Sequence, residues 1–166
     1  DEIRHRAKDE QNRIWLDYDE AKCLIMARDL GAARELVLPV LRDKKTQSWA
    51  WGALAATYRE ESDDVAISLY AQGILSAHED SFILPQLAAL ATLLVKQGSF
   101  EIASMVVKRA MRCYEANGWR VKPSIEQLTL EAWYDSSVES ESMQSFLQER
   151  AEIAQQYLYD SVYKAH

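Results

Sequence analysis

A chain of 166 residues, 48% hydrophobic and 27% charged, is long enough to bury a core without disulfides or metals. No apolar run approaches the roughly 18 residues of a membrane-spanning helix, and 26 acidic against 19 basic residues (formal net charge −7) argue against a generally nucleic-acid-binding surface. With only 5 Gly and 3 Pro, the turn chemistry of a strand-rich fold is scarce, so the expected class is all-α.

The chain begins Asp1-Glu2-Ile3-Arg4 without Met or a signal pattern, and reads as a fragment of a longer cytoplasmic protein. Cys23 and Cys113 lie far apart without Cys-x-x-Cys spacing, which suggests a reducing compartment and two ordinary buried thiols.

Apolar residues recur at three and four along most of the sequence. Ile14, Tyr18, Ala21 and Ile25 share one face of a first helix, which Gly31 is expected to end. Ala33, Leu36, Val37, Val40 and Leu41 give a second, with Pro39 predicting a kink or a late start. Ser48 is the expected N-cap of a third, carrying Trp51, Leu54, Ala55 and Tyr58. After the polar turn Glu60–Asp64, with an Asp or Ser cap, a fourth helix holds Val65, Ala66, Leu69, Tyr70, Gly73 and Ile74. His78–Ser81 breaks the chain before a fifth helix, Leu84–Lys96; Gly98 turns it into a sixth, Glu101–Ala116. Asn117-Gly118 is a stop, because both residues tolerate the left-handed conformation that closes a helix. Beyond the connector Trp119–Pro123, Ser124 is expected to cap a seventh helix through Tyr134, and Ser136–Ser142 to be an exposed linker. The last helix, about Met143 to Lys164, carries Met143, Phe146, Leu147, Ile153, Ala154, Tyr157, Leu158 and Val162 on its apolar side, with Tyr159 and Tyr163 adding amphipathic bulk.

Helices in pairs with tight turns call for a self-similarity test. Trp51, Leu54, Ala55 and Tyr58 have the W-x-x-L-G-x-x-Y spacing of a tetratricopeptide repeat, and Leu87, Leu90, Ala91 and Leu94 repeat it. Ala33, Ala66 and Ala103 fall 33 and 37 residues apart, straddling the ~34-residue period. Ala55, Ala66, Ala91 and Ala103 are small where two helices must approach. The chain therefore resembles the tetratricopeptide repeat family over about Leu30 to Ala116. It departs from the pattern in three places: neither good unit ends in Pro, the N-terminal unit lacks the Trp/Tyr pattern, and the Trp119–Pro123 connector is long. Trp49-Ala50-Trp51, Asn117-Gly118-Trp119 and Glu131–Tyr134 also resemble strings from uncharacterised bacterial multidomain proteins in which helical repeats precede cold-shock-like domains.

The resemblance implies a helical-repeat α-solenoid of about three hairpins over residues 1–135, then a linker and C-terminal helix over 136–166. It also implies a non-catalytic scaffold that binds a protein or peptide partner on its concave surface. Matched residue by residue, the groove positions are Trp49, Gly52, Ala53, Ala56 and Arg59 in one unit and Pro85, Ala88, Ala89, Thr92 and Lys96 in the next. The family's carboxylate clamp is absent. These small residues could instead be covered by the protein's own flanking helix.

Residues 96–122 carry 6 basic and 2 acidic residues, whereas 123–166 carry 2 and 8. Lys108, Arg109, Arg112, Arg120 and Lys122 form a basic band. It reads as a solvated face, as a partner of the acidic segment Glu139–Glu149, or as a nucleic-acid contact with Trp119 beside it. No Gly-rich phosphate loop, nucleophile elbow or metal-ligand spacing is present, and His5, His78 and His166 are separate. The expectation is therefore no catalysis, no cofactor, no metal and no membrane. The last helix would cap the helical array, lead into another domain or form a homodimer.

Overall fold

The computed structural model describes residues 2–139 and 141–159. Among them there are eight α-helices, two short 3-10 segments and no strand: the class is all-α. The helices are α1 (Glu2–Met26), α2 (Leu30–Asp43), α3 (Ser48–Tyr58), α4 (Asp63–Ser76), α5 (Leu84–Lys96), α6 (Phe100–Asn117), α7 (Pro123–Thr129) and α8 (Glu141–Ala151). The 3-10 segments are Asp80–Phe82 and Ala154–Leu158.

Three consecutive pairs pack most extensively, α1 with α2, α3 with α4 and α5 with α6, and α2–α3 and α4–α5 contacts join the pairs. A connection of three or four residues within each pair leaves an antiparallel arrangement as the one that fits. Helices α3 and α4 sit centrally and are apolar almost all round: Trp51, Leu54, Ala55, Ala66, Ile67 and Leu69 are fully buried. Each large apolar side chain removed from water contributes on the order of 1.5–3 kcal/mol. The indole of Trp51 keeps its polar end satisfied by donating to the Lys45 carbonyl oxygen at 2.7 Å. Ala33, Ala55, Ala66, Ala91 and Ala103 are all fully buried, as close helix approach requires.

Helix ends follow local chemistry with one exception. After α5 and α6, Gly98 (φ 75°) and Gly118 (φ 64°) adopt the left-handed conformation. The following residues then donate back five positions, Ser99 N–H to Leu94 at 2.9 Å and Trp119 N–H to Tyr114 at 3.0 Å. Helix α1 closes the same way, with Asp29 N–H on the Leu24 carbonyl at 2.9 Å, but its left-handed residue is Arg28 (φ 61°). Gly31, expected to end this helix, instead lies in the first turn of α2, where the Asp29 carboxylate caps Ala32 N–H. Pro39 is inside α2, so the late start does not occur. It removes the N–H that Glu35 would use, but both residues are exposed, where water can serve that carbonyl.

Ser62 caps α4 through its hydroxyl, which accepts from Val65 N–H at 3.4 Å. Ser48 is no cap: it is the buried first residue of α3, behind Gln47, and its carbonyl serves α5. Ser124 does not cap α7 either, because Pro123 opens that helix and Lys122 stands at its N-cap. Helix α7 stops at Thr129 rather than Tyr134. Buried Ser104 of α6 draws in residues 133–135, accepting from Asp135 N–H at 3.0 Å, while Phe100 stacks on Trp133. A polar group without water must find partners, and here it finds them on a chain that would otherwise continue the helix.

The last helix is shorter than its apolar pattern suggests. Helix α8 ends at Ala151, after packing on α4 and α6, and Ala154–Leu158 folds onto α2 and α4. Arg42 of α2 donates to the Leu158 carbonyl at 2.7 Å, Tyr157 meets Tyr58, and Ala154 and Leu158 are fully buried. Ile153 is exposed, and Val162 and Tyr163 lie outside the described residues. The segment between α7 and α8 is partly tied down: Lys108 Nζ donates to the Val138 carbonyl at 2.7 Å. No helix among the described residues is long and apolar enough to cross a membrane.

Candidate partner-binding groove

The first helix of each pair contributes to one continuous surface depression. Its larger cleft, about 620 Å³, lies between the C-terminal ends of α1, α3 and α5 and includes Ala56, Arg59, Thr92 and Lys96. A second, about 470 Å³, runs along Trp49, Gly52, Ala53 and Ala56 of α3 and its C-cap Arg59 towards Pro85 and Ala89 of α5. The two share Ile25, Met26, Ala56 and Arg59, so they are lobes of one groove. Of the ten positions matched from the sequence, nine line it. Ala88 is the exception: it is partly buried against the core and lines neither lobe.

The spacing explains the convergence. Residues 49, 52, 53 and 56 of α3, with its C-cap Arg59, follow one helical stripe, and 85, 89, 92 and 96 follow one of α5. The opposite stripes, with Trp51, Leu54, Leu90 and Leu94, are fully buried. What the sequence did not supply is the third wall. Helix α1 brings Tyr18, Lys22, Ile25 and Met26, and Trp15 stacks on Trp49 with ring centroids 4.9 Å apart. Tyr18 also meets Trp49 at 4.6 Å. One end of the groove is thus closed by the chain's own first helix, while α8 packs on the second helices and no described residue beyond Lys96 lines the groove. Met26 and Phe82 stand on its rim, 85% and 69% exposed.

The floor holds a polar side chain among apolar ones. Gln86 of α5 is buried, and its amide nitrogen donates to the Ser48 carbonyl at 2.9 Å. It fits because α3 and α4 have glycine where it enters: a Cβ at Gly52 would stand 2.7 Å from the Gln86 amide, and one at Gly73 would meet its oxygen. Those two glycines inside helices were the available sequence signal. The Gln86 carbonyl oxygen has no hydrogen-bond partner among the described residues.

Cations ring the groove, and most are neutralised locally. Lys22 pairs with Asp19 at 2.7 Å, Arg28 with Glu60 at 3.1 Å and Lys96 with Asp63 at 3.0 Å. The hydrogen bond from Lys22 to Asp19 holds the ammonium pKa above its ordinary value. Arg59 differs: among the described residues it has no carboxylate partner, and it lies beside the neutral phenol of Tyr70. Burial pushes the Tyr70 phenol up, and the Arg59 guanidinium opposes this.

The basic band is dispersed. Lys108 is committed to the Val138 carbonyl, and Arg109 holds Asp80 in a two-point grip at 2.9 and 2.7 Å, fixing the turn before α5 to α6. Arg112 is exposed beside that pair, while Arg120, Lys122 and Trp119 face solvent in the connector. The described cysteines form no pair: Cys113 is buried, but Cys23 is exposed, contrary to the expectation of two buried thiols. No group of three or more potential metal ligands occurs among the described residues.

A family model described as a domain of unknown function (DUF7017) matches residues 14–154. The chain belongs to this family. The match spans all the groove walls and begins where α1 first becomes partly buried, after an exposed first half. No curated protein and no solved structure matches the chain.

Proposed function

We propose that this chain is a non-catalytic interaction module of a larger cytoplasmic protein, its helix pairs arranged as a tetratricopeptide-like solenoid that holds a partner protein segment in the α1–α3–α5 groove. The observation that carries this reading is the convergence of Trp49, Ala56, Arg59, Thr92 and Lys96 on one groove whose rim exposes Met26 and Phe82. Large exposed apolar side chains beside a concave surface are the usual mark of a recognition site. Photo-crosslinking tests it. With p-benzoylphenylalanine in place of Thr92, a discrete protein adduct forms in cells, and the same probe at exposed Glu101 on α6 gives none. Equal adducts at both positions, or none at Thr92, would sink the reading.

A second reading, from a different class, is nucleic-acid contact through the exposed Trp119 with Arg112, Arg120 and Lys122. The internal use of Lys108 and Arg109 weakens it. Binding by that route falls steeply with salt, whereas an apolar groove contact changes little. A third, self-association, predicts a mass that rises with concentration in light scattering.

A further inference from the structure

Resting on the groove reading, we infer that the segment held there is acidic and amphipathic, with a side-chain carboxylate seated on Arg59 and an apolar side chain on each side of it. Arg59 lines both lobes and so stands at their junction. Among the described residues it has no carboxylate partner, while Lys22, Arg28 and Lys96 each have one. The neighbouring Tyr70, which lines the same lobe, is a neutral phenol and does not neutralise the guanidinium. A guanidinium has five donors in a planar fork, so donors remain for a carboxylate.

The lobes supply the rest of the pattern. One offers Trp49, Ala53 and Phe82; the other offers Leu30, Leu93 and Val95. Both take an apolar side chain, and the small surfaces of Ala56 and Ala89 let a partner backbone come close. A segment carrying apolar, acidic and apolar residues three or four positions apart as a helix presents all three on one stripe. A basic segment would set its charge against Arg59, which has no carboxylate partner among the described residues. With Lys22, Arg28 and Lys96 already paired to carboxylates, Arg59 is the position at which an incoming carboxylate gains most.

The probe is a random twelve-residue peptide library displayed on phage and selected on the intact chain, with the Ala56→Arg, Thr92→Arg and Arg59→Gln variants alongside. Circular dichroism and thermal unfolding confirm that each variant is folded. Peptides enriched on the unsubstituted chain are expected to carry Asp or Glu between apolar residues. Ala56→Arg or Thr92→Arg should abolish their binding, Arg59→Gln should weaken it about tenfold, and changing the peptide's acid to its amide should weaken it equally. If enriched peptides need the groove but carry no acid, or ignore Arg59→Gln, the acidic occupant is overturned and the groove reading stands. Peptides indifferent to all three variants, or no enrichment, overturn both. A dimer that Thr92→Arg makes monomeric assigns the groove to a second copy and overturns the acidic-segment inference.

Discussion

Gln86 of α5 occupies the space that a side chain at Gly73 of α4 would need. One inserted amide thus couples three helices, because α3 contributes both Gly52 and the Ser48 carbonyl that the amide bonds. The two glycines are not equivalent. At Gly52 the three atoms nearest a new Cβ all belong to the Gln86 side chain, but at Gly73 they include Trp51 Cβ at 3.1 Å and the Ser48 carbonyl at 3.2 Å. Gly52→Ala should cost about 1–2 kcal/mol by overpacking. In a Gln86→Ala background it should cost nothing or stabilise, since Ala exceeds Gly in helix propensity by about 1 kcal/mol. Gly73→Ala should stay destabilising in both backgrounds. Urea unfolding of the three single and two double variants measures this, and equal behaviour of the two glycines would refute the wedge.

Arg28 pays for a left-handed conformation that Gly98 and Gly118 adopt freely. A left-handed residue with a Cβ costs about 1–2 kcal/mol, partly offset by the flexibility that glycine adds to the unfolded chain. Its ion pair with Glu60 is between exposed groups and returns little. Arg28→Gly should therefore raise stability by roughly 0.5–1 kcal/mol. A lower melting temperature in calorimetry would contradict that.

The Asp135 carboxyl is held below its usual range by the hydroxyl and backbone N–H of Ser137, which donate to it at 2.6 and 2.8 Å. A depressed pKa in the folded state means that the turn's contribution is present above the ordinary carboxylate pKa of about 4 and is lost as pH falls through the lower folded value. Asp135→Asn should remove this acid-limb dependence of amide exchange at Ser137. An unchanged exchange profile would show that the turn is held otherwise.

The two cysteines should separate cleanly in alkylation. Cys113 is buried, and burial pushes its thiol pKa up, so at pH 8 less thiolate is present than for an ordinary cysteine. Cys23 is exposed on α1. Iodoacetamide should label Cys23 in the native protein and Cys113 only in urea, with mass spectrometry reading the two peptides. Native labelling of Cys113 at the rate of Cys23 would show that α6 opens there.

That residues 49, 52, 53 and 56 share one stripe of α3, and 85, 89, 92 and 96 one of α5, is a property of spacing and was legible, but the choice of those stripes as a groove came from the tetratricopeptide resemblance. The α1 wall was not legible, because nothing in the periodicity of Tyr18, Ile25 and Met26 says which neighbour they face. Trp15 and Trp49 are distant in sequence and stack only once the pairs pack.

By itself, the sequence determined the helical class, the bounds of α3 to α6 within a residue or two, and the left-handed stops at Gly98 and Gly118. These depend on short-range chemistry, namely caps, periodicity and the missing Cβ of glycine. Tertiary structure decided where α7 and α8 end and what Gly52 and Gly73 make room for. At each of these sites a distant group sets the outcome: Ser104 claims Asp135, Arg42 claims Leu158 and Gln86 fills the glycine gap. Such contacts form between residues far apart along the chain, so local pattern does not encode them.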